Sequence, residues 1–505
     1  MAKAIMVQGT MSNVGKSLVA AGLCRIIKQD GYRVAPFKAQ NMALNSFITD
    51  EGLEMGRAQV MQAEAAGIPP SVLMNPILLK PTDDTKSQII VNGEVFAQMN
   101  ATEYYKHKKL FVPKIREAYD ALATDYDIIV LEGAGSPAEI NLKENDIVNM
   151  YMAKLAKAPV LLVGDIDRGG VFATLAGTMQ LFDSSERDFV KAVIINKFRG
   201  DIEILKPGLT QLTDIIHKPV AGVIPYMHLD IDDEDSLSER MQKTSADGLI
   251  DLVVIRFPRI SNFTDFNIFS AIPGVSVRYV TNTSSLGKPD LIFLPGTKNT
   301  MRDLNWMREN GLEEEILCHA NRGKPIFGIC GGFQMLGNEL KDPFNVEHGG
   351  EMKGMGLLPC ITTFEKEKTR TRGTGHFENI TGIFALLSGH ELKGYEIHMG
   401  TSEFVEQNSL CEIIENGSSP KKIQAKPDGA FRGNVYGSYV HGIFDSENVV
   451  KAIVSALLKE KGLSSEDIES INLSEYKDSQ YDFLANAMRE SLDIDLIYKI
   501  LNEGL

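Results

Sequence analysis

The chain of 505 residues is poor in cysteine: five, at positions 24, 318, 330, 360 and 411, odd in number, widely spaced and with no C-x-x-C pair. That pattern supports neither a disulfide frame nor a zinc site, so any special cysteine must be special for its reactivity. Basic charge is also in deficit. Lys and Arg number 52 against 67 Asp and Glu, a formal charge of −15 that repels a phosphate backbone, and nucleic acid is not expected as the main ligand. No run approaches the ~18 apolar residues of a membrane span, and the start lacks the basic-then-apolar build of a signal peptide. A soluble, cytoplasmic protein with no membrane partner is the expectation. Internal repeats and low-complexity tracts are missing as well.

What is present is ordinary globular composition, 43% hydrophobic and 24% charged, long enough for two substantial domains. Strands expected at 4–8, 33–37, 127–131, 160–163, 191–195 and 220–224 alternate with helical patterns, which predicts an α/β, doubly wound parallel sheet. Residues 128–131 and 160–163 are continuously apolar, as strands buried on both faces require. Residues 229–249 are acidic and polar with too few apolar side chains for a core, and a domain boundary is placed there. Strand-like runs resume at 252–256, 276–279, 291–294 and 326–329, a second α/β system. Beyond 445 the chain reads as helices, at 449–459 and 481–501. The expected organisation is 1–228, a linker at 229–249, 250–445, and a helical tail at 446–505 that covers the second domain or makes a subunit contact.

Directly after the first strand comes Gly9-Thr10-Met11-Ser12-Asn13-Val14-Gly15-Lys16-Ser17, followed by a helical run. Such a turn lets backbone N–H groups close on phosphate oxygens, Lys16 can reach the terminal phosphates, and the Ser17 hydroxyl suits a Mg²⁺ ligand. Thr10, Asn13, Val14, Gly15, Lys16 and Ser17 are the expected nucleotide contacts. In the usual spacing, G-x-x-x-x-G-K-[ST], the first glycine would fall at Thr10; here it comes one position early. Asn196, after another strand, could read a purine edge. Asp165, Asp167 and Arg168 form a polar loop able to approach Mg²⁺ or an anion, or simply a solvated ion-pair loop. Asp146 could cap its helix or act on the substrate side.

The spacing with its extra residue resembles the dethiobiotin synthetase branch of phosphate-loop proteins. That resemblance implies that Lys38, ending the second strand, faces the transferred phosphate, and that Glu132, ending a long apolar strand before Gly133-Ala134-Gly135, is an acidic Mg²⁺ ligand. Loops after parallel strands share one rim, so Lys16, Lys38 and Glu132 can converge.

In the second half, Pro325-Ile-Phe-Gly-Ile-Cys330-Gly331-Gly-Phe-Gln sets one cysteine between an apolar strand and a helix, with small residues on both sides. This is the arrangement of a nucleophile elbow: glycine neighbours permit the tight turn, and the helix N-terminus favours a thiolate and offers N–H groups to an oxyanion. The other four cysteines read as structural. His441, after a short β-like run, is the expected base, and His398 is a weaker alternative. This half, about 252–445, resembles class I glutamine amidotransferases of flavodoxin-like fold, whose oxyanion loop is matched by Leu294-Pro295-Gly296-Thr297; Gly296 and Gly331 are the implied oxyanion residues. Members of that class usually carry a carboxylate two residues after the histidine, where this chain has Ile443, and a Cys–His dyad is expected to suffice.

Phosphate loop first and elbow second, with Phe37-Lys-Ala-Gln-Asn-Met42, Leu79-Lys-Pro81 and Asp165-Ile-Asp-Arg-Gly-Gly170, the chain resembles the cobyric acid synthase family to about residue 445. The resemblance implies ATP- and glutamine-dependent amidation of the b, d, e and g carboxylates of adenosylcobyrinic acid a,c-diamide through acyl phosphates, with Mg²⁺. The partners implied are a corrinoid and L-glutamine; a homo-oligomer stays open. The alternatives are the related enzyme that amidates the a and c carboxylates, and a nucleotide-dependent switch or partition protein.

Overall fold

The computed structural model describes residues 2–82, 86–231, 247–404, 408–416, 425–464 and 472–504. Most of the acidic stretch expected as a linker, 232–246, lies outside the described residues. The chain divides into two units.

In the first unit, six strands form one parallel sheet in the order Val220–Pro225, Val190–Phe198, Val160–Asp165, Lys3–Gly9, Ile128–Glu132, Val34–Phe37. The inner strands are apolar on both faces, with Ile129, Val130, Leu161, Leu162, Val193 and Ile194 at 0% exposure, because helices cover both sides. The parallel register decides which side chains reach the edge of the sheet together. Val7 pairs with Glu132, Gly9 with Val163, and Asp165 with Asn196, so the C-terminal ends of five strands carry Lys38, Glu132, the phosphate loop, Asp165 and Asn196 to one rim. A smaller sheet of Gln40–Met42, Ile77–Pro81, Lys86–Val91 and Glu94–Asn100 is added to this unit.

Two features depart from the organisation expected from sequence. The tail is divided: Glu447–Glu460 stays with the second unit, whereas the chain from Lys477 onward packs on the first. Tyr481, Leu484, Ala485 and Met488, at three-and-four spacing, join the core cluster around the helix Lys16–Gln29. There a Cβ on Gly22 would sit 2.1 Å from Met488 Sδ, so glycine lets the Met488 side chain pack this closely on the helix. Arg25, with a side chain only 5% exposed, is paired to Asp478 at 2.9 Å and Asp482 at 2.7 Å. The second departure is that Leu44–Glu54 belongs to the second unit, although the residues before and after it belong to the first.

The second unit has a parallel sheet, Val275–Val280, Ile250–Ile255, Leu291–Leu294, Ile326–Ile329 and Val435–Ser438, with Ala430–Arg432 antiparallel at one edge. Phe266, Phe269, Phe293, Phe327 and Phe444 pack edge-on or tilted at centroid distances of 4.7–6.5 Å, a geometry that aromatic quadrupoles favour. A mixed sheet built on the long antiparallel strands Cys360–Phe377 and Glu391–Phe404 pairs with Val440–His441 and aligns Tyr395 with His441.

Candidate active sites

The first centre grows from the loop that follows the strand Lys3–Gly9. Asn13 and Gly15 take left-handed backbone, φ 60° and 94°, and a Cβ on Gly15 would lie 2.2 Å from Asn196 Nδ2, so the turn requires glycine there. Asn196 Nδ2 donates to Val14 O at 2.8 Å, and Lys197 Nζ donates to Asn13 O at 2.6 Å while pairing with Asp165 at 2.9 Å. The Asn196 amide nitrogen, read from sequence as a purine contact, is therefore spent on holding the loop. Lys16 Nζ bonds the carbonyls of Met11 and Gly135 at 2.9 and 3.1 Å, folded along the loop at whose rim phosphates would sit. Thr10 Oγ1 is buried without a hydrogen-bond partner, an orphaned donor in the cradle that a phosphate oxygen would satisfy.

Glu132, 1% exposed, gathers this centre. Its Oε1 accepts from Ser17 Oγ and Lys38 Nζ, both at 2.9 Å, and its Oε2 accepts from Gln62 Nε2 at 2.6 Å and Gln59 Nε2 at 3.4 Å. A buried carboxylate survives because every lone-pair direction is answered. Gln59 and Gln62, on the helix Arg57–Ala66, were not singled out from sequence; a helix face carrying two buried glutamines three residues apart was the available signal. Asp146 does not join the cluster through any described bond. Its oxygens accept N–H groups of Val148 and Asn149 at 2.9 Å and of Tyr151 at 3.0 Å, so it ties down the turn that leads into Met150–Ala156, whose N-cap position is Asn149. Asp167 pairs with Arg199 at 2.9 Å, so the 165–168 loop is laced by ion pairs.

The second centre is the elbow. Cys330 takes φ 53°, ψ −110°, a strained backbone for a residue bearing a Cβ. Its neighbours leave no room for side chains: a Cβ on Gly332 would be 1.9 Å from Leu294 O, and one on Gly331 would be 2.8 Å from Thr297 Cγ2. Gly331 and Gly296 are thus brought together, because the 294–297 loop rests against the elbow. Gly296 also flanks the base, where a Cβ would lie 3.1 Å from His441 Cε1. The loop is pinned by Thr297, whose hydroxyl donates to Arg259 O at 3.1 Å and meets Asp303.

His441 is 1% exposed, and Cys330 is among the neighbours that favour its charged form. The expectation of a dyad is corrected here. His441 Nδ1 lies 2.7 Å from Asp265 Oδ2, whose other oxygen accepts from Gly442 N at 3.0 Å. The family position two residues after the histidine cannot serve: Ile443 is 0% exposed within the aromatic core, where a carboxylate would be unpaired. Asp265, on the short turn Phe263–Phe266, occupies the same chemical place from a point 176 residues earlier in the chain. The one sequence clue was an acidic residue between two phenylalanines just after a strand. Burial pushes the imidazole down, but the charge and hydrogen bond of Asp265, then Cys330, outweigh it and hold His441 up at about 10. A raised histidine contributes stability that is complete below its ordinary value and is lost as pH climbs through about 10.

His398 is not a competing base. Its Nδ1 donates to Gly400 O at 2.9 Å, its ring stacks on Tyr439 at 3.7 Å, and burial pushes it down to about 4, whereas Cys330 Sγ contacts the backbone of Ile397. Three of the other thiols are quiet: burial pushes Cys24 and Cys411 up and Cys360 up to about 12. Asp265→Asn retains the shape but removes the charge that favours imidazolium. We expect the kcat for glutamine hydrolysis to fall by about 10²-fold, ~2.7 kcal/mol, and the histidine-governed limb of its pH profile to move to lower pH. An unchanged rate would contradict the role given to Asp265.

A cysteine elbow built for amide cleavage in the same polypeptide as a phosphate loop fits a protein that carries ammonia from glutamine to an ATP-activated group, the class of glutamine-dependent, ATP-binding amidoligases. Residues 5–236 match the family described as the CobQ/CobB/MinD/ParA nucleotide binding domain, and residues 251–449 match the CobB/CobQ-like glutamine amidotransferase domain. The cobyric acid synthase of Ruminiclostridium cellulolyticum is 62% identical over 509 residues, spanning 100% of this chain and 98% of the relative. That of Lachnoclostridium phytofermentans is 55% identical, spanning 100% of both. The chain belongs to the cobyric acid synthase family. Among the described residues no helix is long and apolar enough to cross a membrane.

Proposed function

We propose that this chain amidates the b, d, e and g carboxylates of adenosylcobyrinic acid a,c-diamide, with residues 1–228 carrying the synthetase and 250–445 the glutaminase. What supports the reading is a Cys330 elbow with His441 backed by Asp265 at 2.7 Å, in the same polypeptide as a phosphate loop backed by Ser17 and Glu132.

A carboxylate is a poor electrophile. Its oxygen attacks the γ-phosphorus of ATP, the bond to the β-phosphate oxygen breaks, and an acyl phosphate and ADP result. Backbone N–H groups from Thr10 to Gly15 cradle the phosphates, and Lys16 follows the charge on the transferred group. Lys38 stabilises the same charge once it turns from Glu132 to the γ-phosphate. Ser17 Oγ and Glu132 Oε1, which meet at 2.9 Å, are hard oxygen donors of the kind that would hold Mg²⁺. Bound there with ATP, the cation would neutralise phosphate charge.

At the other centre, Cys330 acts as a thiolate beside the imidazolium of His441, which already carries the proton, and its sulfur adds to the side-chain amide carbon of glutamine. N–H groups of the elbow and of the Gly296 loop receive the oxyanion, and His441 gives its proton to the departing nitrogen, yielding NH₃ and a thioester that water resolves to glutamate. Ammonia attacks the acyl phosphate and releases phosphate. We expect glutamine-dependent ADP release only when the diamide is supplied, with one ADP and one glutamate per amide, measured by coupled assay and mass spectrometry. Turnover of ATP that ignores both glutamine and corrinoid would refute the reading.

A further inference from the structure

Neither half of the reaction uses Leu44–Glu54, yet this segment is held in the second unit far more firmly than a surface loop requires. Glu54 and Lys368 form an ion pair at 2.7 Å with side chains 0% and 8% exposed. Arg372 donates to Ile48 O at 2.9 Å, pairs with Asp50 at 3.0 Å and covers the Phe47 ring. A buried pair adds little net stability because desolvation offsets its attraction, but it tolerates only one register.

That register places Ser46. Its N–H donates to Asn262 Oδ1 at 3.2 Å, its carbonyl accepts from Tyr395 Oη at 3.0 Å, and Asn262 Nδ2 donates to the same Tyr395 hydroxyl at 3.1 Å. The triangle is buried, and each of its two side chains leads to the relay. Asn262, in left-handed backbone at φ 52°, begins the turn that delivers Asp265. The Tyr395 ring stacks on His441, centroids 5.4 Å apart and planes 25° apart. On either side of the segment along the chain stand Lys38 and Gln59, both bonded to Glu132.

We propose that residues 44–54 are a positioning element of the glutaminase: through Ser46 they fix Asn262 and Tyr395, which orient the Asp265–His441 pair, so that events at Lys38 and Glu132 are passed along the chain to the rate of glutamine hydrolysis. Tyr395 and Asn262 are positioning residues. The inference rests on the assignment of Cys330 and His441 to glutamine hydrolysis.

Tyr395→Phe keeps the ring and removes the hydroxyl that reads Ser46. In the full chain we expect the kcat for glutamine to fall about 10-fold with KM changed by less than about 2-fold. Stimulation of glutamine hydrolysis by ATP plus corrinoid should be lost, while ammonia-driven synthesis is retained. Arg372→Ala, which loosens the segment without touching the neighbours of His441, should shift kcat and stimulation in the same direction by about 3-fold. Wild-type kcat and stimulation in Tyr395→Phe would overturn the proposal. So would a kcat loss in Tyr395→Phe that leaves stimulation intact, an Arg372→Ala variant without effect, or an equal fall of ammonia- and glutamine-driven rates. Glutamine hydrolysis persisting in Cys330→Ser would instead defeat the underlying site assignment.

Discussion

Cys330→Ser is expected to abolish glutamine-driven amidation, by on the order of 10³-fold or more, while synthesis on free ammonia continues near the wild-type rate. The substitution exchanges sulfur for oxygen at one buried position and fits the same elbow, so the backbone at φ 53° and the glycines beside it are undisturbed. A serine hydroxyl is far less acidic than a thiol, and an imidazole already held protonated by Asp265 is a poor base for it. Ammonia supplied in solution bypasses that step. The measurement is amide formation by mass spectrometry with each nitrogen source in turn, and the separation of the two centres fails if the folded variant cannot use ammonia.

Lys16→Ala is expected to have the complementary effect, a loss of about 10²–10⁴-fold, ~3–5 kcal/mol, with both nitrogen sources, because no acyl phosphate forms. Lys16 bonds loop carbonyls at 2.9 and 3.1 Å, and those carbonyls remain able to bond water in the variant. The sheet beneath is held by apolar burial and should be unaffected. Basal glutamine hydrolysis and thiol alkylation of Cys330 should persist. ATP-dependent amidation at the wild-type rate would remove Lys16 from the phosphate site.

These two variants address the residues most legible in the sequence, for a physical reason. A phosphate loop and a nucleophile elbow are each made by fewer than about ten consecutive residues whose glycines, positive backbone angles and flanking apolar strands are local requirements. Gly15 and Gly331 could be singled out because what they must accommodate lies at one turn. Asn196 was visible as polar but not as the strut of Val14, since that role depends on which strand end lies beside the loop. Asp146 was visible both as a cap and as a substrate residue, and its described bonds hold the turn before Met150–Ala156, whose N-cap position is Asn149.

Asp265 was beyond such reasoning. A carboxylate 176 residues from its histidine carries no spacing signal, and the position where the family pattern directs attention, Ile443, is filled by core packing. The docking of the chain from Lys477 onward against the first unit, and of Leu44–Glu54 within the second, are similar cases: an amphipathic pattern tells that a face will be buried and is silent on what buries it.

By itself, then, the sequence determined the parallel α/β architecture and the class of enzyme, and pointed to a phosphate loop and a cysteine elbow, because strand burial and turn geometry are short-range constraints. Only the tertiary structure decided which carboxylate completes the histidine relay, which side chains surround Glu132, and where the tail and the 44–54 segment lie. Those choices depend on contacts between residues far apart in the chain, where burial makes a partner obligatory but local composition cannot name it.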